Sequence, residues 1–144
     1  MNSLHTLEAL QRALSLGATQ LSEGVPIGLR FSPDQWIDLR FDPHKGWLGL
    51  CGLVGVAIDH ARTDLMTGLL LANATLAEAG PLRLGMDGVT GQVALVVTLD
   101  LEMEDADRVQ AVLGEVAQAC RALREKLCES QLLAFDASMH PAWP

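Results

Sequence analysis

The 144 residues carry 18 acidic against 10 basic side chains, a formal charge of −8. A surface of that sign repels phosphate backbones and argues against nucleic acid as a partner. Hydrophobic residues make up 49% of the chain but aromatics only 4%, with no Tyr, so the apolar mass is Leu, Val and Ala, more than one small domain easily hides.

Ser3 is placed to cap a first helix over 4–16, ended by Gly17, with Leu4, Leu7, Leu10 and Leu14 on one stripe and Glu8, Gln11 and Arg12 toward water. That N-terminus has neither the basic start nor the continuous apolar core of a signal peptide. A β-rich stretch follows, of two or three strands. Ile27, Leu29 and Phe31 alternate with Gly28 and Arg30; after the turn Ser32-Pro33-Asp34, Ile37, Leu39 and Phe41 alternate with Trp36, Asp38 and Arg40. Another turn, 42–46, leads into 47–58, the longest apolar run and too short to span a bilayer. There Leu48, Leu50, Val54, Val56 and Ile58 alternate with the small Gly49, Cys51, Gly55 and Ala57. Gly52 and Leu53 interrupt the pattern, as at a bulge. The small face predicts close approach of another element.

A second helix over 64–79 is apolar almost all round. Leu65, Leu69, Ala72 and Leu76 form one stripe, and Met66, Leu70 and Ala77 another, with Leu71 and Ala74 between them. Such a helix needs cover on all sides, and a chain this short covers one face with its own sheet. The expectation is a homodimer through this helix, with Leu65, Gly68, Leu69, Ala72, Asn73 and Leu76 at the interface. Gly68 costs roughly 1 kcal/mol against Ala in mid-helix, for which close helix approach compensates. Asn73, one amide among aliphatics, is suited to fixing the register of a helix pair. The competing reading is a central core helix in a monomer.

The helix stops at Gly80-Pro81. Leu82, Leu84 and Met86 alternate with Arg83, Gly85 and Asp87, and after a Gly-rich loop Val93, Leu95, Val97, Leu99 and Leu101 line one face of a strand over 92–101. Its other face, Ala94, Val96 and Thr98, is semi-polar and reads equally as groove or as buried surface. A last helix over 105–129 carries Val109, Val112, Leu113, Val116, Cys120, Leu123 and Leu127 on one stripe, with acids first and bases last, as its dipole favours. The domain is therefore expected to span 1–130, with 131–144 a tail either docked or frayed. Hairpin-length turns predict an α+β fold: an antiparallel sheet flanked by three helices, in the order α-β-β-(β)-α-β-β-α.

Chemistry is sparse. The three cysteines, an odd number inside regular elements, read as reduced core thiols. None of the four histidines has a His or Cys at helical ligand spacing, so no metal site is expected. Asp59-His60 before Asp64 is a candidate acid–base pair, or a solvated loop capping the next helix. Leu84-Gly85-Met86-Asp87-Gly88 contains glycines but precedes a strand rather than a helix and does not read as a phosphate site. No catalytic residue, cofactor or metal is expected.

The order of elements, with LHTLEALQRALSLG, LMTGLLLANA and VALVVTLDLEMED leading into RVQAVLGEVAQACRALREKL, resembles the class I chaperones of bacterial type III secretion systems, the Tir-chaperone-like family, over 4–127. The Gly-rich WLGLCGLVGVAID segment and the chain after Glu129 depart from that pattern. The resemblance implies a cytoplasmic homodimer paired through the second helix. It also implies a chaperone that binds the N-terminal segment of a secreted effector in extended form, keeps it soluble and non-globular, and assists its delivery. Strand addition at a sheet edge and apolar pockets would supply that binding. Leu7, Leu10, Leu14, Leu29, Phe31, Ala94 and Val96 are the residues expected to meet the effector. The secretion-system ATPase is a further candidate partner; nucleic acid and membrane are not. The rivals are a small-molecule-binding or catalytic α+β dimer, built round Asp38, Asp59 and His60, and a scaffold subunit of a larger complex.

Overall fold

The computed structural model describes residues 2–16, 19–59, 61–87 and 90–138, without the side chains of 19, 20 and 130–138. The elements run α1 (Ser3–Ala13), α2 (Thr19–Ser22), β1 (Ile27–Ser32), β2 (Gln35–Asp42), β3 (Trp47–Ala57), α3 (Thr63–Ala79), β4 (Arg83–Met86), β5 (Gln92–Asp100) and α4 (Ala106–Ser138). The five strands form one antiparallel sheet in the order β1-β2-β3-β5-β4. The expected α+β architecture is present, with three strands before the long apolar helix. The single turn of α2 is an addition.

One face of the sheet makes the core. Ile37, Leu39 and Phe41 of β2, Leu48, Leu50, Val54 and Val56 of β3, and Val93, Leu95, Val97 and Leu99 of β5 are buried against Val109, Val112, Leu113, Val116 and Cys120 of α4 and Leu7 and Leu10 of α1. The alternation of β3 runs unbroken through Gly52, which faces inward with the large residues. Close approach therefore occurs on the face opposite to the expected small one. A Cβ at Gly52 would lie 2.6 Å from Val116 Cγ1 and 2.7 Å from Cys120 Sγ, so α4 sits where a side chain would be.

The irregularity of β3 lies further along. Leu53 faces Ala94 and Ala57 faces Gln92, so Val54, Gly55 and Val56 cover the distance that Val93 alone covers on β5. Gly55 takes φ +79° there, a conformation that other residues rarely adopt. The extra residues pull carbonyls out of the ladder, and side chains take them up. Arg124 of α4 donates from Nε to the Val54 carbonyl (2.6 Å) and from Nη2 to Gln35 Oε1 (2.8 Å). Gln35 Nε2 in turn donates to the Leu53 and Trp36 carbonyls, both at 2.9 Å. Arg124 also reaches Asp34 Oδ2 at 3.2 Å, so α4 holds the β1–β2 turn as well as the bulge.

Helix ends correct two sequence expectations. Asn2, not Ser3, caps α1 by accepting from the Leu4 N–H (3.0 Å), and Ser3 is buried instead, against Gly46. The helix closes early. Ser15 takes φ +54°, with Ser15 N–H donating to the Arg12 carbonyl and Leu16 N–H to the Gln11 carbonyl, the paired bonds of a Schellman cap. Gly17 lies outside the described residues. The buried stripe of α1 is Ser3, Thr6, Leu7, Leu10 and Gln11, so Leu4 is exposed and Gln11 is inside, the reverse of the expectation. At the other end α4 continues past Glu129 to Ser138; residues 139–144 lie outside the described set.

Replacing Gly52 by Ala should destabilise the protein by about 1–3 kcal/mol, because two packed side chains must give way at once. Urea unfolding should show a lower midpoint with an unchanged slope.

Candidate binding surfaces

Covering one sheet face leaves the other bare. Strand register assigns its rows: Gly28, Asp38, Cys51, Val96 and Arg83 lie side by side, as do Arg40, Gly49 and Thr98, and Asp42, Trp47 and Asp100. Leu53, Ala94 and Gly85 form another row, and Arg30 faces Trp36. Two of the chain's three Trp residues stand on this face, Trp36 at 48% and Trp47 at 42% exposure. Each lies under a cation: the Arg30 guanidinium is 5.9 Å from the Trp36 ring and the Lys45 ammonium 4.8 Å from the Trp47 ring. Cys51, Leu53 and Ala94 are half-buried, and Val96 is exposed. The face is therefore a shallow apolar floor with aromatic posts and charged margins. Beside it a cleft of about 510 Å³ opens among Glu23, Arg40, Asp42, His44, Trp47 and Thr98.

Further apolar residues fringe the core after α1 and on β1. Leu14 and Leu16, just after α1, and Ile27 and Leu29 of β1 are only half-buried, and Phe31 is exposed. Of the residues expected to meet an effector, Leu14, Leu29, Phe31, Ala94 and Val96 thus keep accessible surface. Leu7 and Leu10 do not: both are enclosed beneath the sheet, and the helical stripe that singles them out is the stripe that builds the core.

A second surface is α3. Only Leu65 is buried; Met66, Leu69, Ala72, Asn73 and Leu76 are half-buried, while Leu70 and Leu71 are 69% and 67% exposed. Leu69, Ala72 and Gly68 border a groove of about 340 Å³ against Leu123 and Leu127 of α4. A Cβ on Gly68 would meet nothing within 4 Å, so the protomer itself does not need that glycine. Two of the six expected interface residues are already engaged within the chain. Leu65 belongs to the core, and Asn73 Oδ1 accepts the Leu84 N–H of β4 at 2.9 Å.

Among the described residues no polar centre competes with these surfaces. Asp38 sits beside Cys51, more than half the length of β3 away from Asp59. Asp59 accepts the Ala61 N–H as a turn residue, and His60 lies outside the described residues. The rival catalytic centre is therefore not assembled from Asp38 and Asp59. Among the described residues no group of three or more His, Cys, Asp or Glu could hold a metal, and no helix is long and apolar enough to cross a membrane.

The profile of the Tir chaperone protein (CesT) family matches residues 5–124. The chain belongs to that family. No curated protein matches it in sequence. Its fold is similar to a chain of the ExsC–ExsE complex, at 17% identity and TM-score 0.65 over 84% of this chain and 90% of that one. It is also similar to a chain of the HopA1–SchA chaperone–effector complex, at 20% identity and TM-score 0.64 over 85% and 92%. A third likeness is the Yersinia pestis type III secretion chaperone SycH in complex with a YscM2 fragment, at 16% identity and TM-score 0.62 over 85% and 99%. The resemblance read from the sequence thus holds: this is a class I type III secretion chaperone, not an enzyme.

Sequence reasoning missed Trp36, Trp47 and Cys51 as members of one surface, and Gln35 and Arg124 as its supports. The signal for Gln35 was available, since it shares the inward parity of Ile37, Leu39 and Phe41. Burial, helped by the Asp38 carboxylate, pushes the Cys51 thiol up, and burial pushes Cys120 up to about 11. Thiolate is the reacting form, so at pH 8 Cys120 holds about a hundredfold less of it than a thiol at 9.0. Iodoacetamide should label exposed Cys128 first, Cys51 more slowly and Cys120 only after unfolding, as mass spectrometry of timed samples would record.

Proposed function

We propose that the protein is a cytoplasmic homodimeric chaperone that binds the N-terminal segment of a type III secreted effector. The observation that carries this reading is the bare sheet face: an apolar floor with two aromatic posts, with no polar centre assembled among the described residues. A shallow floor of that length suits an extended polypeptide better than a compact ligand, since backbone pairing at an edge and side chains on the floor spread the binding energy. Holding the segment in that form keeps it soluble and non-globular, and the loaded dimer would present it to the secretion apparatus, with the secretion-system ATPase as the docking point. The similar solved structures support this, one of them being a chaperone–effector complex.

The dimer part of the proposal rests on α3. Leu70 and Leu71 are apolar, adjacent and uncovered on a helix whose other face packs on its own chain. A second copy covers them, with Gly68 allowing close approach and Leu69, Ala72 and Leu76 at the rim. Two variants separate dimer loss from misfolding. Gly68→Leu removes a mid-helix glycine, a gain of up to about 1 kcal/mol to the protomer, yet inserts bulk between copies. Leu70→Asp places a charge in the contact without touching the core. Light scattering should report a folded monomer for both; a dimer persisting in both would put the interface elsewhere.

The binding part is checked on the floor. The polypeptide that co-purifies with the chaperone should slow iodoacetamide labelling of Cys51 and leave Cys128 unaffected. Val96→Asp, beside Cys51 in the register, should weaken its binding by tenfold or more, about 1.4 kcal/mol, because a charge on that floor must be desolvated when the polypeptide covers it. Calorimetry would measure it. Unchanged affinity together with unchanged Cys51 labelling would remove the sheet face from the reading.

A further inference from the structure

A five-stranded open sheet has two edges, and here they differ. β1 is six residues long, and its one extensive contact is with β2. β4 is four residues long and flanked by α3. On its outer side a side chain occupies one backbone group within the strand and another occupies one just before it. In an antiparallel strand the N–H and C=O of one residue point the same way, and alternate residues point to opposite sides. The Leu84 N–H donates to Asn73 Oδ1 at 2.9 Å, so it points away from β5 and lies on the free edge. Leu82, two residues earlier and of the same parity, has its carbonyl taken by Arg83 Nη1 at 2.8 Å, and the same nitrogen reaches the Gly80 carbonyl at 2.6 Å. Two successive outward positions, Leu82 at the entry to the strand and Leu84 within it, are therefore taken, the donor by an amide oxygen and the acceptor by a guanidinium.

We propose that Asn73, with Arg83, is an edge stop that closes β4 to strand addition and leaves β1 as the edge where an extended polypeptide adds. Exposed edges template pairing with any extended chain, and a sheet with two open edges polymerises or takes its partner in two registers. Asn73 restricts the choice to one. It is a positioning and specificity residue, acting on β4 rather than on the partner. The choice of β1 rests on the reading that an effector segment adds as a strand; closure of β4 does not.

The experiment is NMR hydrogen exchange on the full chain alone, followed by a concentration series and then by addition of the co-purifying polypeptide. In the native protein the Leu84 amide should be protected although it faces outward. Asn73→Ala should speed its exchange roughly two- to tenfold, as loss of one ordinary hydrogen bond predicts. Asn73→Asp, which keeps an acceptor oxygen, should retain the protection, a rescue that a merely space-filling role would not show. The double variant Asn73→Ala/Arg83→Ala should acquire concentration-dependent broadening at residues 82–86, absent in the native chain. The bound polypeptide should protect outward amides of β1 and none in β4. A Leu84 amide that exchanges freely in the native protein overturns the proposal even if every variant misfolds. So does a folded double variant without new self-association, or partner protection on β4. Failure of the polypeptide to bind at all would count against the functional reading and leave the first two measurements to decide on the edge stop.

Discussion

The seating of α4 on β3 at Gly52 is the contact on which the rest depends. With no side chain at Gly52, Val116 and Cys120 drop against the backbone of β3, and the inner faces of β2, β3 and β5 are brought within reach of one long helix. A single helix resting that close, with α1 alongside, seals the core from one side. Among the described residues it leaves none to cover the other side, since the remaining long helix, α3, is stationed at the β4 edge. The bare outer face is thus the geometric remainder of a core completed with few elements. The seat also fixes the direction of α4, which carries Arg124 to the β3 bulge. There one guanidinium satisfies the carbonyl that the bulge releases and holds the β1–β2 turn. Without such partners the bulge would expose buried carbonyls, each costing on the order of 1–3 kcal/mol.

Strand parity was legible in the sequence wherever side chains alternate in size. The inward sets of β2 and β5 follow directly from Ile37-Leu39-Phe41 and Val93-Leu95-Val97-Leu99, and the stripe of α4 from its aliphatic spacing. Parity failed at Gly52 because a glycine carries no size signal: small-on-the-outside and small-because-crowded look alike in one dimension. In α1 the pattern located the stripe but not its edges, so Leu4 exchanged places with Gln11. The same stripe could not say that Leu7 and Leu10 would be enclosed rather than offered to a partner, because a core face and a docking face share one composition.

Asn73 illustrates a different limit. Its isolation among aliphatics was read as fixing the register of a helix pair, whereas the partner it has within the chain lies eleven positions away on another element, and a sequence period within one helix cannot point off that helix. Trp36, Trp47, Cys51 and Val96 were likewise scattered over three strands. Only the register, set by the turns at 33–34 and 43–46 and by crossing through α3 and β4 to β5, puts them on one floor. Binding surfaces built across a sheet are written in pairing, and a single sequence carries pairing only where turns are short.

Charge and hydrophobicity divide the work between solubility and recognition. The chain's excess of acids disperses it in water, while its apolar excess over one core is concentrated on α3 and the bare sheet face. On that face both tryptophans lie under cations, Arg30 and Lys45, drawn from the chain's ten. Cation–π contact keeps the large rings in fixed positions, so less rotamer entropy is lost when a polypeptide settles between them. It also leaves the floor less acidic than the rest of the surface. Long-range repulsion between copies is then compatible with short-range capture of an apolar segment, because the screened field of the acidic surface falls off within about 10 Å and the floor acts only on contact.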